Sequence, residues 1–199
     1  MSFFRNVMNN IAGTAVSAKA DAGPAGGAGG GDKSVTATFA SIPETLAEFT
    51  ALPQASMATP FDTAALSVTA LCVYPINKDE CIAMFNYLRG PNPMTQRDLT
   101  FLRDRMAQND KAGFLGASYF TGATPENDYA PAKPYTVNIS ENPYTYAVEG
   151  CAKLFIKSGG GDSPRSVTMR LAKDGKWYLW EYSSLLLDVR APESKNPWA

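Results

Sequence analysis

The spacing of hydrophobic residues changes along the chain. Between residues 62 and 107, apolar residues recur three and four positions apart, which is typical of helices. From residue 135 onward, apolar and polar residues alternate, which predicts strands. Helices followed by strands predict an α+β fold, in which three to four N-terminal helices pack on a C-terminal antiparallel sheet of about four strands.

Capping signals indicate where the predicted helices begin and end. A short helix is expected from Pro43 to about Leu52, because proline is favoured in a first helical turn. Three longer helices follow, each preceded by a polar residue suited to capping. These residues are Asp62, Asn77 and Thr95. Pro75 and the Gly90-Pro91 pair are expected to end the first two of these helices.

Asp174-Gly175 predicts a two-residue type I′ turn between two strands. That turn would pair Leu171 with Tyr178. It divides the hairpin into a core face and a mixed face. The predicted core face consists of Val167, Met169, Leu171, Tyr178, Trp180 and Tyr182. The mixed face consists of Thr168, Arg170, Ala172, Trp177, Leu179 and Glu181.

Three further segments are predicted as strands. They are Val35–Phe39, Tyr135–Ser140 and Tyr144–Lys157, the last with Gly150 as a candidate bulge. The expected inward face of the last strand consists of Tyr146, Val148, Ala152, Leu154 and Ile156.

The N-terminal residues differ in composition from the rest. Residues 1–20 predict an amphipathic helix that docks on a protein partner or makes peripheral membrane contact, although a loosely ordered leader fits equally well. Its apolar stripe consists of Phe4, Val7, Met8, Ile11, Ala15 and Val16. Residues 21–34 predict a flexible Gly/Ala-rich linker, 35–192 a single domain, and 193–199 a tail.

The composition narrows the possible chemistry. The chain has no histidine, so Ser–His and Cys–His nucleophile pairs and histidine metal sites are excluded. Its net charge is −1, so we expect no nucleic-acid partner. Cys72, Cys81 and Cys151 follow no disulfide pattern and fit reduced, buried thiols in a cytoplasmic protein. We expect no metal and no cofactor.

The loop from Lys157 to Arg165 is the first candidate site. Its three consecutive glycines could form a nest of N–H groups that binds a phosphate or carboxylate between the two basic side chains. The alternative is a long hairpin connection in which Arg165 bonds Asp162. The nearby Glu126-Asn127-Asp128 triplet lacks the spacing of a calcium loop.

The mixed hairpin face is the second candidate site. Arg170, Trp177, Leu179 and Glu181 would make an unusual exposed surface. Such a face either binds a ligand or partner, since Trp beside Arg is typical of binding hot spots, or is covered with an Arg170–Glu181 ion pair. Four carboxylates near these loops could supply an acid–base pair, but no pair is seen to converge. They are Asp128, Glu149, Asp162 and Glu181.

Four segments resemble an uncharacterised bacterial family, a domain of unknown function. They are YPINKDECIAMFNYLRGPNPMT (Tyr74–Thr95), SYFTGATPENDYAP (Ser118–Pro131), KSGGGDSPRSVTMR (Lys157–Arg170) and KWYLWEYSSLLLDVR (Lys176–Arg190). The resemblance covers roughly Phe61 to the C-terminus. It implies a single domain after the linker and a bacterial, cytoplasmic setting.

These patterns favour a non-enzymatic cytoplasmic binding or adaptor domain, tethered to a helix that docks on a partner or a membrane. The alternative is a small-molecule-binding or His-independent hydrolytic domain with a pocket between sheet and helices. The candidate ligand-binding residues are Lys157, Arg165, Arg170, Trp177 and Glu181.

Overall fold

Five antiparallel strands form one sheet in which each strand pairs with its neighbours along the chain. The computed structural model describes residues 33–195. The strands are β1 (Ser34–Phe39), β2 (Tyr135–Ser140), β3 (Cys151–Ile156), β4 (Arg165–Leu171) and β5 (Trp177–Glu181). The sheet confirms the α+β prediction and has one strand more than the expected four.

Four α-helices lie between β1 and β2. They are α1 (Leu46–Thr50), α2 (Pro60–Val73), α3 (Lys78–Arg89) and α4 (Gln96–Ala107). Short 3₁₀ turns span Pro53–Ser56, Gln108–Gly113, Ala117–Tyr119, Pro125–Asn127, Ser183–Leu186 and Glu193–Lys195.

The capping predictions hold for two of the three longer helices. Asn77 and Thr95 cap α3 and α4 as expected. The prediction for α2 is wrong by one turn, because Thr59 is the cap and Asp62 is its capping-box partner at the third helical position. The sequence Thr59-Pro60 places a hydroxyl before a proline, which suits a helix start.

Helix α2 is the centre of the hydrophobic core. It contacts all five strands and also packs against α3. Leu66 and Leu71 on different sides of the helix are both 0% exposed, so α2 is buried nearly all round rather than along one stripe. Full burial of each such side chain contributes about 1.5–3 kcal/mol.

The β4–β5 hairpin has a three-residue loop, so the predicted two-residue turn is wrong. The N–H of Ala172 donates to the carbonyl of Lys176, and the N–H of Gly175 donates to that of Ala172. Gly175 has a φ of +81°, as in a type I turn followed by a glycine bulge. Leu171 consequently pairs with Trp177 instead of Tyr178.

This one-residue difference reverses the predicted faces of β5. Leu179 is 2% exposed and lies in the core, whereas Trp180 is 46% exposed. Val167 and Met169 on β4 are buried as predicted. The mixed face of the sequence analysis is therefore not a single surface, because a one-residue shift moves every side chain of a strand to the other side.

The segment before β3 also departs from the prediction. Residues 144–150 form turns, and β3 begins only at Cys151 after Gly150, whose φ is +68°. Ala152, Leu154 and Ile156 are buried as expected. Tyr146 and Val148 are exposed instead of facing the core. Alternating residues within a turn-rich segment therefore gave a false strand signal.

Strands β2 and β3 diverge after two residue pairs, Ile139 with Ile156 and Ser140 with Phe155. The N–H of Thr121 donates to the carbonyl of Thr136, at 2.8 Å, beyond the point of divergence. The segment around Thr121 thereby satisfies a β2 carbonyl that β3 does not reach.

Candidate functional site

A cleft of about 440 Å³ lies where the end of α3, the start of α4 and the end of β5 meet. It combines two arginines, two carboxylates and three aromatic rings. Its lining residues are Arg89, Asn92, Arg97, Asp98, Phe101, Trp180, Glu181, Tyr182 and Ser183. We call this the α3–β5 cleft.

Arg89 forms the buried floor of the α3–β5 cleft. It is the last residue of α3 and is only 8% exposed. Its Nε donates to the carbonyl of Asn92 at 3.0 Å, and one terminal nitrogen lies 3.6 Å from Asp98 Oδ2. The guanidinium also lies 5.9 Å from the centre of the Tyr182 ring. These contacts fix the side chain in one position and keep its charge paired.

Asp98 is held by the first turn of α4. Its Oδ2 accepts hydrogen bonds from the backbone N–H and the hydroxyl of Thr95, both at 2.8 Å. Burial acts to raise the pKa of Asp98, but these hydrogen bonds and the charges of Arg89 and Arg97 outweigh burial and lower it. Asp98 therefore stays ionised at neutral pH and cannot serve there as a general acid.

A bulge at the end of β5 leaves two successive residues, Trp180 and Glu181, exposed. Met169 pairs with Leu179 and Thr168 with Glu181, so Trp180 is the extra residue between two regular pairs. Bulges of this kind change the direction of a side chain relative to the sheet. The Arg170 guanidinium lies 4.9 Å from the centre of the Trp180 ring, a cation–π arrangement.

Arg97 is the second arginine that lines the cleft, and its surroundings differ from those of Arg89. It is exposed, and within residues 33–195 it makes no ion pair or side-chain hydrogen bond. Glu181, by contrast, accepts a hydrogen bond from the N–H of Ser183 at 2.7 Å. The cleft therefore offers an incoming ligand a positive charge beside aromatic surface, while both of its carboxylates already accept internal hydrogen bonds.

The structure brings two of the five predicted site residues to this cleft. Glu181 lines it, and Arg170 lies over Trp180 at its edge. The predicted Arg170–Glu181 ion pair is not formed in the described part of the chain. Trp177 lies elsewhere, half-buried, with its ring centre 6.5 Å from that of Tyr146.

Lys157 and Arg165 do not share a site. Arg165 donates to the carbonyl of Asp188 at 2.8 Å instead of bonding Asp162. Lys157 lines a separate cavity of about 260 Å³, together with Asn138 from the diverging end of β2. The two basic ends of the glycine loop thus have different surroundings.

The glycine loop uses its N–H groups internally. Gly159 donates to the carbonyl of Ser118 at 2.8 Å, while Gly160 and Gly161 donate to the hydroxyl and the carbonyl of Ser158. A Cβ on Gly159 would lie 1.8 Å from the Ala123 carbonyl oxygen. Gly159 is therefore required for close packing, and the predicted anion nest is not formed by these amides.

The Glu126-Asn127-Asp128 loop anchors the C-terminal segment. Asp128 accepts a hydrogen bond from the N–H of Ser194 at 3.1 Å, and Glu126 lies 3.9 Å from Arg190. Within residues 33–195, no group of three or more Cys, Asp or Glu residues is placed to hold a metal ion. The loop's polar residues therefore have structural partners.

Cys81 is buried as expected, whereas Cys72 and Cys151 are only partly buried. Burial raises the pKa of Cys72 to about 12 and also raises the pKa of Cys81. Thiolate is the reactive form of cysteine, so both are poor nucleophiles at neutral pH. All three cysteines are free thiols.

Sequence analysis missed most of the cleft. Three of its residues lie at helix ends: Arg89 at the end of α3, and Arg97 and Asp98 in the first turn of α4. Charged residues at these positions are explained by helix capping, so they gave no signal of a binding site. Trp180 was assigned to the core face because of the wrong turn. A three-residue loop with Gly175 in the third position was the sequence signal from which the solvent exposure of Trp180 could have been predicted.

Comparison with known proteins gives a family but no activity. No curated protein and no solved structure matches the chain. Among the described residues, no helix is long and apolar enough to cross a membrane. A family model, the domain of unknown function DUF6935, matches residues 41–193, which include every helix and strand except β1. The chain belongs to the DUF6935 family.

Proposed function

We propose that this chain is a non-enzymatic binding or adaptor domain of the bacterial cytoplasm, and that the α3–β5 cleft binds an acidic segment of a protein partner. One observation carries the proposal: Arg97, which makes no ion pair or side-chain hydrogen bond within residues 33–195, lines the same cleft as the half-exposed Trp180. Tryptophan and arginine are the residues most enriched among binding hot spots.

The surroundings of Arg97 suit a carboxylate rather than a cation. Arg89 lines the same cleft, where it pairs with Asp98, and Arg170 lies over Trp180 at the edge. Three arginines are thus arranged around one aromatic wall, and arginine pairs with carboxylates through two parallel hydrogen bonds. An Asp or Glu beside an apolar side chain would match both features of the cleft.

The state of Asp98 favours binding over catalysis. Its lowered pKa keeps it ionised, and it already accepts a hydrogen bond from Thr95 and pairs with Arg89. Glu181 accepts the Ser183 N–H. Acid–base hydrolysis by two carboxylates needs one of them protonated, and the surroundings of Asp98 prevent Asp98 from being that one.

The N-terminal part of the proposal concerns residues 1–20, which lie outside the described residues. Their apolar stripe supports a helix that docks on the partner or on a membrane surface, joined to the domain by residues 21–34. Partner binding would then use two contacts, the helix and the cleft.

A small organic anion is the second candidate for the cleft. The volume of about 440 Å³ falls within the usual range for small-molecule sites, and the cleft lies between the sheet edge and two helices. This matches the alternative of a ligand pocket between sheet and helices.

Peptide selection tests the first candidate. Random octapeptides displayed on phage are selected on the full-length protein, and the affinities of the enriched peptides are measured by calorimetry. We expect enrichment of Asp and Glu and a loss of affinity of about tenfold for Arg97→Ala and for Trp180→Ala, equivalent to about 1.4 kcal/mol. Arg103→Ala is the matched control, because Arg103 lies on the same helix and pairs with Asp104 outside the cleft.

Peptides without acidic residues, or peptides that bind Arg97→Ala as tightly as the unmodified protein, would refute the proposal. Benzoate and citrate are titrated in parallel by NMR. If they shift the signals of the cleft residues and no peptide does, the small-molecule candidate replaces the peptide.

A further inference from the structure

Exposed apolar side chains collect where the β2–β3 connection meets the β4–β5 hairpin. Tyr144 is 77% exposed, Val148 65%, Tyr146 51% and Leu171 43%, with the half-buried Trp177 beside them. We call these five residues the aromatic patch. Contiguous exposed apolar surface on a protein usually marks a site of interaction.

Hydrogen bonds fix the aromatic patch to the sheet. The Tyr146 hydroxyl donates to Glu141 Oε1 at 2.6 Å, and its ring packs edge-on against Trp177. The N–H of Leu171 donates to the carbonyl of Gly150 at 2.8 Å. These bonds join two hairpins, so the patch is preorganised and a ligand would spend little free energy on ordering it.

The chain enters the domain beside this patch. The carbonyl of Lys33 accepts a hydrogen bond from the N–H of Glu141 at 2.8 Å, and Glu141 is the residue that holds Tyr146. Only the 12 residues 21–32 separate this point from residues 1–20. A Gly-rich chain of that length has an end-to-end distance of about 20 Å, which is enough to reach the patch and short enough to stay near it.

Residues 1–20 have the chemistry to cover the patch. Phe4, Val7 and Ile11 lie on one stripe if this segment is helical. The segment contains Arg5 and Lys19 and no acidic residue, whereas residues 141–150 contain Glu141 and Glu149 and no basic residue. On the β2–β3 side of the aromatic patch, apolar surface and charge are therefore both complementary to the segment.

We propose that residues 1–20 dock through their apolar stripe on the aromatic patch of the same chain. A short tether holds the segment at an effective concentration in the millimolar range. An intrinsic dissociation constant of about 1 mM therefore suffices for substantial occupancy, which a few buried apolar side chains can supply.

Docking on the patch would compete with a partner or membrane that binds the same apolar stripe. The apparent affinity of that partner would fall by the fraction of chains in which the stripe is docked. Docking of residues 1–20 on the patch and peptide binding in the α3–β5 cleft are independent proposals, and either can fail without the other.

Hydrogen exchange measured by mass spectrometry on the full chain tests the proposal. The variant Phe4→Asp/Ile11→Asp removes the stripe, and Asn9→Asp/Asn10→Asp adds the same charge at neighbouring polar positions. We expect peptides covering residues 144–150 to exchange at least threefold faster in the stripe variant than in the unmodified protein, with the asparagine control unchanged. Peptides from α2 report the global fold and should not change in either variant.

Equal exchange of residues 144–150 in all three proteins would overturn the proposal. Faster exchange in both variants would also overturn it, because it would indicate a charge effect rather than docking of the stripe. The measurement is repeated at about 1 and 100 μM. Protection that grows with concentration would assign the occupant to a second copy and contradict docking within one chain.

Discussion

At the residue scale, Asp98 has two roles, one in helix α4 and one in the cleft. It closes the capping box at the start of α4 and neutralises Arg89 on the floor of the cleft. A negative charge near a helix N-terminus is favourable because the first N–H groups have no partner within the helix. Formation of the helix cap therefore also fixes the position of Asp98 in the cleft.

Asp98→Asn is expected to lower the free energy of unfolding by about 1 kcal/mol at neutral pH. Because the folded-state pKa of Asp98 is lowered, its stabilisation is present above the ordinary value of 3.8 and is lost as pH falls through the lowered pKa. Urea unfolding from pH 7 down to the lowest pH at which the protein folds should show the two proteins converging. Asp104→Asn is the control, since Asp104 forms only a solvent-exposed pair with Arg103, and it should cost less than about 0.5 kcal/mol.

Gly159→Ala is expected to destabilise the protein by about 1–3 kcal/mol, because its Cβ would overlap the Ala123 carbonyl oxygen. Thermal unfolding should show a fall in Tm of about 2–4 °C for each kcal/mol lost. Gly113→Ala is the matched control, with nothing within 4 Å of the added Cβ. Similar Tm values for the two variants would contradict the close-packing explanation of the glycine loop.

At the scale of elements, the β4–β5 hairpin decides which aromatic residues are exposed. Its three-residue loop places Leu179 in the core and Trp180 outside it, and the bulge at its far end leaves Glu181 exposed beside Trp180. A two-residue turn would have done the reverse. The loop is therefore an indirect determinant of the cleft, which lies at the opposite end of β5.

Gly175→Ala is expected to cost about 1 kcal/mol, because residue 175 has a φ of +81° that alanine adopts at a penalty. Gly175→Asn should cost less, since asparagine tolerates the left-handed region better than other residues with a side chain. Midpoints of urea unfolding compare the three proteins. An asparagine variant as unstable as the alanine variant would argue against φ as the cause.

At the scale of the whole molecule, the segment after β5, residues 185–190, forms hydrogen bonds with the irregular segment between α4 and β2, residues 111–129. The Tyr119 hydroxyl donates to the carbonyl of Leu185, and Lys111 donates to that of Leu186, both at 2.8 Å. Tyr129 donates to the carbonyl of Arg190 at 2.7 Å. Backbone carbonyls outside regular structure are thus satisfied by long side chains.

Tyr119→Phe is expected to lower the free energy of unfolding by about 1–3 kcal/mol, because the buried Leu185 carbonyl would lose its hydrogen-bond donor. Tyr129→Phe should cost less, since Arg190 is exposed and water can replace the lost hydroxyl. Chemical denaturation monitored by circular dichroism gives both values. A larger loss for Tyr129→Phe would contradict this account of the C-terminal segment.

Local chemistry by itself determined the helices and most strands. Capping residues such as Thr95, stops such as Gly90 and the alternation of Tyr135–Ser140 act within a few residues of the structure they specify. The same local rules mistook Asp62 for a cap and residues 144–150 for a strand. In both cases a competing local signal lay close by: Thr59-Pro60 before α2, and Gly150 before β3.

Only the tertiary structure decided which residues meet. The cleft joins the end of α3, the start of α4 and the end of β5, and nothing in the spacing of Arg89, Arg97 and Trp180 shows that these ends converge. The aromatic patch likewise depends on two hairpins lying side by side. Sequence pattern fixes the period of each element, but the one-residue register of a hairpin and the packing of helix ends depend on the whole core, and these set which side chains are left for binding.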